Sequence, residues 1–241
     1  MAILNTPMAL DSSLAELKKK AEIENAYLSV IASGGRQTVY SSISQIANVI
    51  RNGTVEANKR VFPIGDEIAV DRTSGSTVIG SQTMVIVHHD YVELSDGSIV
   101  PGMFLMGLGL LYADQDPYLA FSADFLRECG SIKICTVGGT TAYEKIFYPS
   151  CTNWNIEPPI SSVDYSSEGP TFEYWIRAIG SEPMPENQTN AAFIASHQTY
   201  GNQQYSLRTK YDDTKHTIVT LNGGVGSGVT RYYRRVCCCI C

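Results

Sequence analysis

The spacing of apolar residues changes near Val61, and this change constrains the fold more than any other feature of the sequence. Upstream, Leu14, Leu17, Ala21, Tyr27, Leu28 and Ile31 recur at near-helical spacing after the N-cap cluster Asp11-Ser12-Ser13, until Gly34-Gly35 stops the run. A second, shorter helix is predicted over 42–51, where Ile43, Ile46, Ala47 and Ile50 share one face and Asn52-Gly53 closes it. Downstream the pattern turns to period two or to continuous apolar runs broken by turn signals. Strands are predicted over 67–70, 77–79, 83–88, 91–94, 99–106 and 110–112, with a hairpin signal at Asp96-Gly97. They continue over 132–137, 144–148, 174–179, 193–195, 217–221 and 229–238, with one helix near 121–129. The fold class is therefore mainly β (α+β), an N-terminal helical arm followed by an antiparallel β-rich body.

The arm spans 1–58 and the body 59–241, and the loop-like stretch 150–170, which contains Pro158-Pro159, marks where a subdivision of the body would fall. Neither helix of the arm can build a core alone, so each must bury its apolar stripe on another chain or on its own domain. Docking or oligomerisation makes Leu14, Leu17, Leu28, Ile43, Ile46 and Ile50 candidate contacts between subunits; folding back on the body is the alternative.

Composition excludes several classes. The chain has 241 residues, 44% of them hydrophobic, enough to bury a sizeable core. A formal net charge of −6 is the wrong sign for a generic duplex nucleic-acid binder, which gains affinity by neutralising phosphates. Membrane insertion is not expected, because a bilayer span needs about 20 apolar residues and the best stretch, 100–112, is shorter and broken by Pro101, Gly102, Gly107 and Gly109. An odd total of 7 cysteines, with Cys237, Cys238, Cys239 and Cys241 crowded together, suggests free thiols rather than a disulfide framework. No second Cys or His pair stands at finger spacing, so that cluster reads as small apolar residues on a buried strand rather than as a metal site.

Constellations that carry chemistry are weak. His88-His89-Asp90 lies on a predicted strand, where alternate side chains share a face, so His88 and Asp90 could meet while His89 points away. The run Gly223 to Gly228 lacks the Lys-Ser/Thr of a phosphate cradle and reads as a turn between strands. Asp114, Asp116 and Asp124 do not have calcium-loop spacing and read as a solvated loop. No catalytic residue, metal ligand or cofactor is expected. The C-terminal seventy residues interleave tyrosine with Asn, Gln and Ser, the mixture that binding loops use, because tyrosine gives contact area at low rotamer cost. Tyr200, Asn202, Gln204, Tyr205, Arg208 and Tyr211 are the candidate surface-binding residues; solubility alone is the other explanation of that texture.

The order of short motifs also resembles a family. Val61-Phe62-Pro63-Ile64-Gly65-Asp66-Glu67-Ile68, then Val87-His88-His89-Asp90, then Asp96-Gly97-Ser98-Ile99-Val100-Pro101-Gly102-Met103 resemble structural proteins of tailed phages of gut bacteria. Tyr174-Trp175-Ile176-Arg177 and the segment 229–236 resemble the W-[LI]-R and G-V-R-P elements of a domain of undetermined function in that group, similar in layout to C-type-lectin-like folds. The chain departs from the pattern where Thr230-Arg231 runs into Tyr232-Tyr233-Arg234-Arg235 rather than Arg-Pro. The resemblance implies a virion component made in the host bacterial cytoplasm: a head fibre, capsid decoration or tail-associated protein. Its implied partners are other virion proteins, copies of itself with a trimer favoured, and a host-surface glycan or protein. A free carbohydrate- or protein-binding module is the alternative, and a particle-borne hydrolase a further one.

Overall fold

A computed structural model describes residues 42–74, 77–111, 116, 118, 121–137, 140–157, 168–179, 204–210, 215–220, 225–228 and 233–241. The predicted helix over 14–31 and strand over 193–195 lie outside the described residues.

Helix α1 (Ile43–Asn52) begins where Ser42 accepts a hydrogen bond from the Gln45 N–H and ends where the Gly53 N–H returns to Ile50 and Val49. Helix α2 (Val55–Val61) is capped in the same way, Thr54 accepting from the Ala57 N–H. Then come β1 (Glu67–Ser74), β2 (Thr77–Glu93) and β3 (Ile99–Leu111). The predicted pieces 77–79, 83–88 and 91–94 fall on one strand of 17 residues, and 99–106 with 110–111 fall on one strand of 13, residue 112 lying outside the described residues. Between them Gly97, at φ 83°, turns the chain, the Leu94 N–H donates to Ser98 O at 2.9 Å, and Asp96 Oδ1 accepts from the Ser98 N–H. This is the predicted Asp96-Gly97 hairpin.

Helix α3 (Ala123–Glu128) is capped by Ser122, and β4 (Ile132–Val137) pairs with β5 (Thr140–Glu144) as a separate two-stranded sheet. The remaining elements are β6 (Ile146–Phe147), α4 (Glu173–Ile179), β7 (Tyr205–Lys210), β8 (His216–Val219), β9 (Val225–Gly228) and β10 (Tyr233–Ile240). The main sheet runs β1-β2-β3-β10-β7-β8-β9, with β6 also on β10. Its described pairings are antiparallel except β10 with β7, which is parallel. β10 thus fills the middle, with β3 along one edge and β7 and β6 sharing the other.

Both faces of this sheet are covered, which explains why its strands read as unbroken apolar runs. Along β2, Met84 and Ile86 join one core with Ile46, Ile50, Val61 and Phe125, while Val85 and Val87 join the other with Trp154, Phe172 and Trp175. Cysteines in β10 alternate likewise: Cys238 faces the helical side, Cys237 and Cys239 the aromatic side. The cysteine cluster therefore serves as small apolar strand residues, as the sequence suggested. On the aromatic side Trp154 and Trp175 stack with centroids 3.9 Å apart.

Four expectations are corrected. Helix α1 lies on its own subunit's sheet: Ile46 and Ile50 are buried in that core, with Ile43 packed against it, so these three are not free to be oligomer contacts. The boundary at 58 accordingly falls inside the body, since α1 and α2 both pack on the sheet. Residues 174–179 form a helix, not a strand, because Phe172 and Trp175 must reach the same core from a three-residue spacing, and only helical geometry brings them to one side. Residues 225–228 of the glycine-rich run pair with β8 as a strand.

Candidate functional site

The densest buried polar cluster among the described residues centres on Arg208 in β7. Its neighbours Ser206, Leu207 and Thr209 are all buried, Leu207 in the aromatic core, so the arginine stem is drawn into the interior. Its guanidinium meets main-chain oxygens: Nη1 donates to Tyr148 O at 2.7 Å, and Nη2 donates to Ile134 O at 3.1 Å and Glu168 O at 2.5 Å. Nε is buried without a partner among the described residues, and the guanidinium carbon lies 5.8 Å from the centroid of the Phe147 ring.

The cluster extends through short hydrogen bonds. Thr209 Oγ1 donates to Glu168 Oε2 at 2.7 Å and accepts from the Cys151 N–H at 2.8 Å. Asn153 Oδ1 accepts from the Ser150 N–H, and Asn153 Nδ2 donates to Pro170 O at 2.8 Å. Gly169, at φ 91°, lets the chain turn over this amide, because a Cβ there would lie 3.2 Å from Asn153 Nδ2. Burial pushes the Glu168 carboxyl above its usual range against the Thr209 hydroxyl and the Arg208 charge, and burial likewise pulls the guanidinium down.

Beside this cluster a shallow cleft of about 170 Å³, its open mouth included, is lined by Phe104, Ile134, Phe147, Asn153, Glu168 and Arg208. The arginine's Nη groups already donate to three carbonyls, so its place is a clasp joining Ile134 of β4, Tyr148 and Glu168 to β7 rather than a displayed contact. Arg208 is thereby removed from the surface-binding set. Gln204 is partly exposed just before β7, and Tyr205 starts that strand, paired with Val219 and Tyr233. Tyr200, Asn202 and Tyr211 lie outside the described residues, as do Leu14, Leu17 and Leu28.

The histidine pair sits at the β2 bulge opposite Phe104. His88 packs against Phe104 and Phe172, its Nδ1 accepts from the Glu173 N–H at 3.4 Å, and its Nε2 stands 3.8 Å from Asp90 Oδ2, so the predicted shared face is present. Burial lowers its pKa, with Asp90 opposing. His89 turns to the other face and donates through Nε2 to Phe62 O at 2.8 Å, while Nδ1 is buried without a partner among the described residues. Burial brings its pKa down to about 4, since the imidazolium would have to place a second N–H against apolar groups. Lys59 bridges Glu173 at 3.3 Å, tying α2 to α4 across this strand.

Asp116 caps the Tyr118 N–H and Asp124 pairs with Arg127 at 3.0 Å; Asp114 lies outside the described residues. Among the described residues no three His, Cys, Asp or Glu side chains converge as a metal-binding group, and no helix is long and apolar enough to cross a membrane. The clasp was not legible beforehand, because its acceptors are main-chain oxygens up to 74 residues away, which leave no residue-type signal. Comparison of the chain with protein-family models, curated proteins and solved structures finds no match.

Proposed function

We propose that the chain is a bacteriophage virion structural protein, a head fibre, capsid decoration or tail-associated component, with a β-rich body displayed toward the host surface. The observation that carries this reading is where the polar groups go: Arg208, His89 and Asn153 are spent on main-chain oxygens that brace a sheet covered on both faces. Such bracing suits a rigid scaffold rather than a reacting centre. The sequence order agrees, because the motif-bearing segments 61–68 and 96–103 that resemble phage structural proteins form the entry to β1 and the β2–β3 hairpin.

Attachment and self-association then fall to residues upstream of Ser42, through the stripe of Leu14, Leu17 and Leu28. The outward-facing surface includes Tyr91 and Ile99, 54% and 70% exposed on the β2–β3 hairpin, and the partly exposed Gln204; the binding role of Tyr200 and Asn202 rests on the sequence texture alone.

Two measurements test the reading together. Antibody against the purified chain is expected to decorate phage particles in electron micrographs, at regular positions on a head or at the tail. Light scattering is expected to give a homo-oligomeric mass for the full chain that falls to the monomer in Leu17→Asp. Unlabelled particles together with a monomeric full chain would overturn it.

A further inference from the structure

Burial on the helical face of the main sheet stops between two rows of the β2–β3 ladder. The register pairs His89 with Met103, Tyr91 with Pro101 and Glu93 with Ile99, so these three rows present their side chains on one face. In the first row Met103 belongs to the helical core and His89 is buried, holding Phe62 O at the end of α2. One and two rows further out, Tyr91 and Ile99 are the exposed large hydrophobic side chains among the described residues. Lying next to each other at the margin of an apolar layer, they form a patch rather than a scattered exposure.

The rim of this patch is acidic. Between 90 and 102 the chain carries Asp90, Glu93 and Asp96 and no Lys, Arg or His. Glu93 accepts from Lys133 Nζ at 3.2 Å and from the Tyr143 hydroxyl at 2.7 Å. Asp90 and Asp96 are exposed, Asp90 accepting from the Tyr91 N–H and Asp96 from Ser98, so both carboxylates are fixed by short local bonds and face solvent.

One segment of this chain has the complementary pattern. At 100° per residue on the predicted helix over 14–31, Leu14, Leu17, Ala21 and Leu28 fall on one face, and Lys18 and Lys20 lie on its two flanks. That stripe matches the apolar pair, and the flanking lysines match the carboxylates on either side of it. Tyr91 and Ile99 stay exposed in the single subunit, so the cover comes from outside it.

We propose that the β2–β3 hairpin is the docking site for the 14–31 segment of a second copy of this chain, with Leu14 and Leu17 on Tyr91 and Ile99 and the flanking lysines toward Asp90 and Asp96. The inference rests on the reading of the arm as the self-association segment and names the surface that receives it. Docking takes Tyr91 and Ile99 out of the surface left to face a host. The contact is head-to-tail, because an arm meets a hairpin and not another arm.

The test uses full-length chains and light scattering. Ile99→Asp alters an exposed side chain, so its urea midpoint is expected to stay at the wild-type value while its assembled mass falls as in Leu17→Asp. For either variant alone the dissociation constant is expected to rise at least about tenfold. Mixing the two supplies the decisive reading: Ile99→Asp keeps an intact arm and Leu17→Asp an intact hairpin, so an equimolar mixture is expected to form a one-to-one complex that neither forms by itself. Association of the unaltered chain is expected to weaken as sodium chloride is added. A wild-type mass for Ile99→Asp beside a monomeric Leu17→Asp would overturn the docking site and leave the arm's role in self-association standing. Two monomeric variants that stay monomeric on mixing would overturn the arm-to-hairpin contact. A monomeric unaltered chain whose antibody still decorates particles would overturn this inference alone, whereas unlabelled particles as well would overturn the virion reading with it.

Discussion

Arg208 Nη2 donates to the main-chain oxygen of Glu168 at 2.5 Å, and through that bond β7 holds the first described residue after 158–167. The same guanidinium holds Tyr148 O, ten residues before that stretch. Replacement by Met keeps the apolar stem and strands three carbonyls, so Arg208→Met is expected to lower stability by about 3 kcal/mol or more. Lysine restores one cationic donor group without the planar fork and is expected to recover only part of the loss. The urea midpoint of each variant, read by tryptophan fluorescence from Trp154 and Trp175, checks the order wild type, Lys, Met.

The histidines predict an acid limb. An unfolded chain protonates His89 near 6.5, whereas the folded chain resists until about 4, so between those values the unfolded state binds more protons and stability falls as pH drops. The full effect of His89 is about 3 kcal/mol. It is complete above pH 6.5 and is lost progressively toward 4, with His88 acting in the same direction. His89→Gln retains a donor for Phe62 O and no titration; its stability is expected to vary less over this interval in urea melts at stepped pH.

Burial of α1 against its own sheet separates two explanations of its apolar stripe. Ile50→Ala removes a fully buried side chain and is expected to cost about 2–5 kcal/mol, with no change in assembled mass. Leu17→Asp is expected to do the reverse. Thermal melts and light scattering on both variants distinguish packing from association.

Glycine-to-sulfur packing yields a coupling test. Gly102→Ala sets its methyl 2.6 Å from Cys239 Sγ and 3.1 Å from Val92 Cγ2, and overpacking of that kind costs about 1–3 kcal/mol. In a Cys239→Ala background the same change is expected to cost distinctly less, giving a favourable interaction energy of about 1 kcal/mol in a double-mutant cycle on denaturant melts.

Much of the architecture was legible in the sequence because its signals are local. Ser42 and Ser122 cap the helices predicted near 42–51 and 121–129 through N–H groups three residues on, and Asp96-Gly97 makes its turn with neighbours alone; Thr54 does the same for the helix over 55–61, which was not predicted. Long strands were cut too short because Gly80, Ser81 and Asp90 look like punctuation, yet each is held in a ladder by its partner strand. The 174–179 segment misled for a related reason: Tyr174, Trp175 and Ile176 favour extended backbone, and burial of Phe172 with Trp175 overrides that preference. Arg208 misled most. Its sequence neighbours suggested display, while its partners Tyr148, Ile134 and Glu168 lie 60, 74 and 40 residues away.

Strand β10 has a consequence for biosynthesis. Residues 67–111 emerge from a ribosome long before 233–240, and until the later segment arrives the inner margin of β3 is an unpaired row of N–H and C=O groups along Met103, Leu105 and Met106. Such an edge is sticky toward any other nascent copy. The keystone also joins contacts more than 120 positions apart, the kind of closure that makes folding slow. Production of this protein is therefore governed by how fast the keystone reaches its slot relative to how often two half-made chains collide, so lower temperature and slower expression favour the soluble product.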